Sequence, residues 1–188
     1  MFISMFRSQY FMPDGHYPSI LDIDFEALYS KGIRLLLIDL DNTLAAYDET
    51  MPSDRIQSLI ETVRKIGFDI VIVSNNSERR VRPYAEALGL KSVHRAKKPL
   101  KGGLKKAMAV AKKHVGIRKT CLIGDQLLTD VYGAKRLALS VMLVKPLKKH
   151  SEKWYTRFNR RIERRILKRL KRKYPESYQT MELEKRLT

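Results

Sequence analysis

The segment from Ile33 to Leu44 constrains the fold of this chain most, because a short apolar run ends directly in acidic residues. Five aliphatic residues, Ile33 and Leu35 to Ile38, follow Gly32 without the polar alternation of a half-exposed strand. Such a run is typical of a strand buried on both faces of a parallel sheet. Asp39 and Asp41 come where this strand ends, and open α/β sheets bind ligands at the carboxyl ends of their strands. The segment therefore predicts a ligand site.

Two carboxylates so close together at a buried strand end are costly unless a cation shares their charge. Mg²⁺ is the divalent ion that best suits such a set of oxygen ligands. An alternative is that residues 39–43 form only a turn, because Asp, Asn and Thr are common where strands end. The segment alone leaves both interpretations open.

The rest of the chain alternates short apolar runs with stretches of helical periodicity. Pro52-Ser53-Asp54 begins a helix, with Ser53 or Asp54 as its N-cap, and Gly67 ends it. Alternation of this kind predicts an α/β fold with a mostly parallel sheet in three layers. Further predicted strands cover residues 69–73, 92–95, 120–123 and 140–144, and further predicted helices cover residues 78–88, 104–115 and 129–137.

The length, hydropathy, net charge and cysteine count limit the classes of protein to which this chain can belong. The 188 residues suit one globular domain with short extensions, and no window is long and apolar enough for a membrane-spanning helix. The net charge of +18, from 38 Lys and Arg against 20 Asp and Glu, favours a polyanionic partner such as nucleic acid, a ribosome or anionic lipid. A single cysteine, Cys121, fits a reducing compartment, and we expect the apolar N-terminus to be retained rather than cleaved.

Polar side chains follow the other predicted strands as well. Ser74 comes after the strand at 69–73, Lys98 after the strand at 92–95, and Asp125 and Asp130 after the strand at 120–123. Because the strands are predicted to be parallel, these side chains should meet Asp39 and Asp41 at one edge of the sheet. A hydroxyl, an amine and two acidic pairs in one cleft suit phosphoryl transfer.

Each of these side chains has a physical role in that chemistry. Asp39 is the candidate nucleophile, because a carboxylate can form an aspartyl-phosphate, and Asp41 is the candidate acid and base. Ser74 would donate a hydrogen bond to the phosphoryl oxygens, and Lys98 would neutralise their charge. Asp125 would bind Mg²⁺ with Asp39, while Asp130 would orient those ligands or bind the ion directly.

These residues resemble the ordered motifs of the haloacid dehalogenase (HAD) superfamily of phosphatases. The resemblance covers residues 33–144 in the correct order and implies a doubly wound, Rossmann-like sheet. It also implies that Asp41 binds Mg²⁺ through its backbone carbonyl, and that Thr43 and Asn75 join Ser74 and Lys98 in contacting the substrate phosphate. The matching motifs are Asp39-Leu40-Asp41-Asn42-Thr43, Ser74, Lys98-Pro99, Gly124-Asp125 and Asp130.

The superfamily selects its substrates through cap domains, and this chain has no room for one. Residues 45–51 are too few for a folded cap, and little beyond one helix separates Ser74 from Lys98. An open cleft favours a phosphate carried by something large. Within the superfamily the chain resembles the YqeG-type and mitochondrial phosphatidylglycerophosphate phosphatases, through Met12-Pro13-Asp14, Ser19-Ile20 and Ile23-Asp24-Phe25, although Leu40 stands where mitochondrial members have lysine. This resemblance implies hydrolysis of phosphatidylglycerophosphate at the cytoplasmic face of a membrane.

The C-terminal tail is strongly basic. Residues 152–173 contain eleven Lys and Arg against two Glu, with large apolar residues every three or four positions. Such a helix is typical of an anionic membrane interface, but its stripe could instead pack on the domain, or the helix could bind RNA. We expect a lead-in at 1–32, a catalytic domain at 33–147 and an amphipathic tail at 148–188. The stripe consists of Trp154, Tyr155, Phe158, Ile162, Ile166, Leu167, Leu170 and Tyr174.

Three functions are compatible with the sequence. The favoured one is a Mg²⁺-dependent lipid phosphatase bound peripherally to the inner face of the membrane. The second is a phosphatase of nucleic acid ends or of phosphoproteins, for which the charge alone is sufficient. The third is a non-catalytic module that binds RNA or the ribosome. We also expect deletion of residues 150–188 to remove vesicle binding while leaving hydrolysis of a small phosphate ester intact.

Overall fold

A six-stranded, wholly parallel sheet forms the centre of the fold, in the order β1-β6-β5-β2-β3-β4. The structure, a computed structural model, describes residues 8–112, 114–148 and 154–186; the side chains of residues 154–160 and 185 lie outside the description. The strands are β1 Gly15–Tyr17, β2 Leu35–Ile38, β3 Asp69–Val73, β4 Lys91–Val93, β5 Thr120–Gly124 and β6 Ser140–Val144.

The strand at the centre of the sheet is β2, which the apolar run before Asp39 predicted. It pairs with β3 on one side and β5 on the other, and all four of its residues are buried. Successive side chains of a strand point to opposite faces, so Leu36 and Ile38 enter one core while Leu35 and Leu37 enter the other. A strand buried on both faces needs continuous apolar sequence, and the predicted α/β fold is confirmed.

Helices cover both faces of the sheet. The α1, α2 and α3 helices pack on the face of Leu36, and the α4 to α7 helices pack on the face of Leu35. Ser53 is the N-cap of α2, and Gly67 ends that helix at a φ of 113°, which glycine tolerates best. The helices are α1 Phe25–Ser30, α2 Asp54–Ile66, α3 Glu78–Ala87, α4 Lys101–Val110, α5 Tyr132–Lys135, α6 Trp154–Lys173 and α7 Pro175–Thr180.

Several elements differ from the prediction. The β1 strand was not predicted, because Gly15-His16-Tyr17 is too short and polar to show a strand pattern, yet it pairs with β6 and extends the sheet. The helix predicted at 104–115 begins three residues earlier and ends at Val110. The helix predicted at 129–137 is instead a π-helical turn, Leu127–Val131, followed by α5.

The tail packs on the domain along part of its apolar stripe. Ile166, Leu167 and Leu170 of α6 are buried in the core on the face of Leu35, and Tyr178 of α7 joins them. The interpretation that the whole stripe lies free for a membrane is therefore wrong for these residues, because their apolar surface is already covered. Residues 152–153, the side chains of Trp154, Tyr155 and Phe158, and the aromatic Phe2 and Phe6 lie outside the description.

Two further observations concern membranes. Within the described ranges, none of the helices combines the length and apolar character needed to cross a bilayer. Deletion of residues 150–188, expected from the sequence to leave catalysis intact, would uncover the core surface beneath α6, so it is not a clean test of membrane binding.

Replacing Leu170 with alanine tests the packing of α6. The side chain is fully buried, so Leu170→Ala should lower the free energy of unfolding by about 2–5 kcal/mol, as measured by denaturant titration. Lys168→Ala, an exposed change on the same helix, should alter it by less than about 0.5 kcal/mol. Equal, small effects of both variants would mean that α6 does not pack on the domain.

Candidate active site

Four neighbouring strands carry the predicted site residues at one edge of the sheet. Asp125 directly follows β5, Asp39 directly follows β2 and Ser74 directly follows β3, while Lys98 lies in the loop that follows β4. These strands are consecutive in the sheet and run in one direction, so their carboxyl ends meet. This arrangement is the crevice that open α/β sheets use for ligands.

The ammonium group of Lys98 lies at the centre of the site. Its Nζ is 2.6 Å from Asp39 Oδ1 and 2.6 Å from Asp130 Oδ1, and all three side chains are buried. Burial lowers the pKa of this amine, but the carboxylates of Asp130 and Asp39 outweigh burial and hold its pKa above the ordinary value. Lys98 is therefore a fixed positive charge that joins two loops distant in sequence.

Three buried carboxylates form one cluster, and two of them, Asp39 and Asp130, contact Lys98. Oxygen atoms of Asp39, Asp125 and Asp130 lie within 4.8 Å of one another. Burial raises the pKa of Asp39 well above its ordinary value; Lys98 opposes this rise, and the carboxylates of Asp130, Asp125 and Asp41 reinforce it. A divalent cation among these oxygens would oppose the rise and compensate the excess negative charge. The donor set fits a hard ion with oxygen ligands.

Glycine at position 124 allows Asp130 to approach this cluster. A Cβ added to Gly124 would lie 2.4 Å from Cγ of Asp130, so no larger residue fits without displacing the carboxylate. Oδ2 of Asp130 accepts a hydrogen bond from the backbone N–H of Gln126 at 3.1 Å. The sequence Gly124-Asp125 thus places one acidic side chain directly and makes space for another.

Asp41 faces a different set of partners. Its Oδ2 accepts a hydrogen bond from Asn76 Nδ2, and its Oδ1 accepts one from Arg80 Nε, both at 3.1 Å. Arg80 also donates to the carbonyl oxygen of Ala46, so it joins α3 to the loop after β2. Asn76 and Arg80 therefore hold both oxygens of the Asp41 carboxylate.

The analysis of the sequence did not identify Arg80 as a site residue. Arg79, Arg80 and Arg82 together look like the solvated face of a helix, and charge alone does not show which of them turns inward. Only the position of α3 beside Asp41 distinguishes Arg80 from the exposed Arg82.

Ser74 and Asn75 organise the loop after β3. Ser74 is buried, and its Oγ accepts a hydrogen bond from the backbone N–H of Asn76 at 3.1 Å. The side-chain amide of Asn75 makes two hydrogen bonds with the backbone of Lys98. Its Oδ1 accepts one from the Lys98 N–H at 2.6 Å, and its Nδ2 donates one to the Lys98 carbonyl oxygen at 2.9 Å. The geometry gives Asn75 a role in positioning Lys98, and its direct contact with substrate phosphate stays a prediction.

Thr43 lies two residues beyond Asp41 and is buried. Its Oγ1 has no hydrogen-bond partner within the part of the chain that the structure describes. An unsatisfied buried hydroxyl is costly unless a ligand supplies its partner. The preceding Asn42 has a φ of 65°, a left-handed conformation in which asparagine is common, and so turns the chain back after Asp41.

The cleft has no cap among the described residues. Residues 39–53 join β2 to α2 as a loop, and α3 is the helix between β3 and β4. Both places where a cap could be inserted are therefore short connections, as the sequence predicted.

The sequence matches the family model for mitochondrial PGP phosphatase over residues 2–148. This range includes the whole sheet and all the residues of the site described above. The chain belongs to this family. It is accordingly a HAD-type phosphatase, and the alternative of a non-catalytic RNA-binding module is not retained.

Individual relatives agree with the family. The chain is 39% identical over 167 residues to "Probable phosphatase YqeG" of Bacillus subtilis (strain 168), covering 88% of this chain and 94% of that protein. It is 29% identical over 161 residues to phosphatidylglycerophosphate phosphatase 1, chloroplastic/mitochondrial, of Arabidopsis thaliana. That alignment covers 79% of this chain but 45% of the plant protein.

Solved structures of HAD-like hydrolases are more distant. The HAD-hydrolase YfnB from Bacillus subtilis, bound to magnesium, is 16% identical with a TM-score of 0.47, over 64% of this chain and 92% of that one. At this level of similarity, the magnesium in YfnB is not evidence about the cofactor or substrate of this PGP phosphatase family member.

Replacing Arg80 tests whether the position of the Asp41 carboxylate affects catalysis. Arg80→Met removes the donors to Asp41 and Ala46, and misplacement of Asp41 should lower kcat on p-nitrophenyl phosphate by roughly 100-fold. Arg82→Met is the matched control, since Arg82 is exposed on the same helix and, among the described residues, pairs with the exposed Glu78 and Glu86. Equal rates for the two variants would show that Arg80 has no part in catalysis.

Proposed function

We propose that this protein is a Mg²⁺-dependent phosphomonoesterase that hydrolyses phosphatidylglycerophosphate at a membrane surface through an aspartyl-phosphate on Asp39. The observation that carries this proposal is the buried cluster of Asp39, Asp125 and Asp130 around Lys98, at the open end of the sheet. Few other chemistries need several acids and a fixed ammonium group in one cleft.

Asp39 is the nucleophile in this proposal. Its carboxylate oxygen would attack the phosphorus and displace the alcohol of the substrate, and water would then attack the phosphorus of the acyl phosphate to restore the carboxylate. Lys98 orients Asp39 through the contact at 2.6 Å and stays charged throughout, so it can also neutralise a phosphoryl oxygen. Ser74 and Thr43 supply hydroxyl groups to the remaining phosphoryl oxygens.

Asp41 is the general acid and base. It would protonate the leaving oxygen in the first step and take a proton from water in the second. Arg80 and Asn76 fix both oxygens of its carboxylate, which leaves its backbone carbonyl as the group that can face the metal.

The metal would be held by Asp39 and Asp125, with the carbonyl of Asp41, and Asp130 lines the same space. When bound, Mg²⁺ supplies positive charge that screens the phosphate from the negative nucleophile. Asp130 also pairs with Lys98, so it keeps the acidic loop and the lysine loop in register.

The open cleft supports a large substrate. The described residues include no cap that could enclose a small metabolite, whereas a phosphate displayed on a lipid surface needs only an open edge. The name of the plant relative supports phosphatidylglycerophosphate as that lipid.

Exposed apolar side chains on the same edge of the sheet support a membrane surface. Met51, Leu100 and Leu147 are 60%, 56% and 45% exposed, and they lie on the loops after β2, β4 and β6. We call these three residues the apolar rim. Exposed Lys97 and Lys148 lie on two of the same loops, and Lys148 pairs with Asp48 at 3.0 Å. Apolar side chains flanked by lysines suit an anionic bilayer, and we place the protein at the cytoplasmic face.

A second candidate substrate has separate support. The solvent-facing side of α6 is basic over three turns and could bind a nucleic acid with a terminal phosphate. Its exposed basic residues include Arg161, Arg164, Arg165, Lys168, Arg172 and Lys173. Hydrolysis of nucleic acid ends is therefore the second arm of the substrate test.

The substrate test compares phosphatidylglycerophosphate in anionic vesicles with 5′-phosphorylated oligonucleotides, each with Mg²⁺ and with EDTA. Phosphate release should occur on the lipid, require Mg²⁺ and fall by roughly 1,000-fold or more in Asp39→Asn, which lacks the nucleophile. Asp54→Asn, an exposed change in α2, should behave as wild type. Phosphate release from the oligonucleotides alone would mean that nucleic acid ends, and not the lipid, are the substrate. Normal rates in Asp39→Asn would refute the mechanism.

Introducing negative charge at the apolar rim tests membrane docking separately from catalysis. The triple variant Met51→Glu, Leu100→Glu, Leu147→Glu should bind anionic vesicles roughly 100-fold more weakly in flotation assays, because three apolar contacts are lost. Hydrolysis of soluble p-nitrophenyl phosphate should not change. Ile117→Glu is the control, since Ile117 is 44% exposed but lies before β5, at the opposite edge. Equal vesicle binding by both variants would place the membrane contact elsewhere.

A further inference from the structure

The C-terminal segment, defined as α6, α7 and the turn Leu183–Arg186, reaches the acidic loop of the active site. Nη2 of Arg186 donates a hydrogen bond to the carbonyl oxygen of Asp125 at 2.5 Å, and Nη1 donates to the carbonyl oxygen of Val144 at 2.7 Å. The arginine side chain is 5% exposed. A buried guanidinium thus lies directly behind one of the three clustered carboxylates.

Glu163 of α6 contacts the same loop and lies beside Arg186. Its Oε1 accepts a hydrogen bond from the backbone N–H of Leu128 at 3.3 Å, and its Oε2 is 3.8 Å from Arg186 Nη2. Glu163 is itself buried. Leu128 lies in the π-helical turn, between Asp125 and Asp130 in the chain. Arg186 therefore contacts the beginning of the acidic loop, and Glu163 contacts its middle.

Packing fixes the position of Arg186. Leu183, three residues earlier, is fully buried, as is Tyr178 of α7. The carbonyl oxygen of Met181 accepts a hydrogen bond from His16 Nδ1 at 3.0 Å, which ties the turn to the edge strand β1. The guanidinium is planar with donors in fixed directions, so an anchored arginine can hold two carbonyl groups in a defined relation.

The contacts with two carbonyl groups have a consequence for the site. Asp125 is the first residue after β5, and a rotation of its peptide group would redirect its side chain. Holding the carbonyls of Asp125 and Val144 together joins the ends of β5 and β6. Groups that orient metal ligands from behind commonly change metal affinity when removed.

We propose that Arg186, assisted by Glu163, is a positioning residue that holds the loop from Asp125 to Asp130 in its metal-binding geometry. This inference rests on the metal site of the proposed function. The basic tail then completes the active site from within the protein, in addition to any contact that its exposed face makes with a polyanion.

The test measures metal binding directly, by electron paramagnetic resonance titration of the full-length protein with Mn²⁺ as the probe. Arg186→Met keeps the apolar stem but removes the donors, and Arg186→Lys keeps the charge but cannot donate to both carbonyls in the same geometry. Both should raise the dissociation constant for Mn²⁺ by roughly 10-fold or more. The matched control is Lys171→Met, which breaks the exposed pair with Glu184 in the same segment and should leave the constant unchanged.

Thermal unfolding in EDTA shows whether each variant is folded without metal, and the Mn²⁺ titration of the folded variants then tests positioning. If Arg186→Met and Arg186→Lys bind Mn²⁺ as wild type does, or if Lys171→Met weakens binding equally, the inference is wrong, whatever the melting temperatures. If Arg186→Met does not fold, Arg186→Lys decides the question. Failure of the wild-type protein to bind Mn²⁺ would instead overturn the metal site of the proposed function, so the two failures can be told apart.

Discussion

The contact of the Lys98 ammonium with Asp39 and Asp130 is the interaction on which the rest of the active site depends. It joins the loops after β2, β4 and β5 at distances of 2.6 Å. Even with the guanidinium of Arg186 behind Asp125, the clustered carboxylates of Asp39, Asp125 and Asp130 outnumber these two cations. Such an excess of negative charge is costly in a low-dielectric interior. The site is therefore organised to accept additional positive charge.

The strand order makes this arrangement possible. With β2 between β5 and β3, and β4 beyond β3, one crevice receives a residue from each of four loops. Three local contacts support this crevice: Gly124 admits Asp130, Asn75 holds the backbone of Lys98, and Arg80 holds the carboxylate of Asp41. Within the described residues, short connections leave this crevice open, and the proposed lipid substrate rests on that openness.

The tail shows how one amphipathic pattern can serve two purposes. Its apolar stripe covers the core with Ile166, Leu167 and Leu170, while its outer side stays basic. Burying the stripe brings Glu163 and Arg186 to the acidic loop, so the packing of the tail and the geometry of Asp125 are coupled. The proposed contact with a bilayer rests on the apolar rim, which lies on loops outside the C-terminal segment.

The sequence by itself determined the central strand, the α/β alternation and the identity of the acids, because a doubly buried strand needs continuous apolar residues and loop positions show where polar groups are tolerated. It could not determine β1, whose three residues become a strand only through pairing with β6. Tertiary structure alone distinguished Arg80 from Arg82, gave Asn75 its contact with Lys98 and buried part of the basic tail. Arg186 lies 61 residues from Asp125 in the chain, and only packing of the C-terminal segment against the sheet brings them together. Periodicity records which face of a helix is apolar, whereas the partner of that face depends on how the whole chain packs.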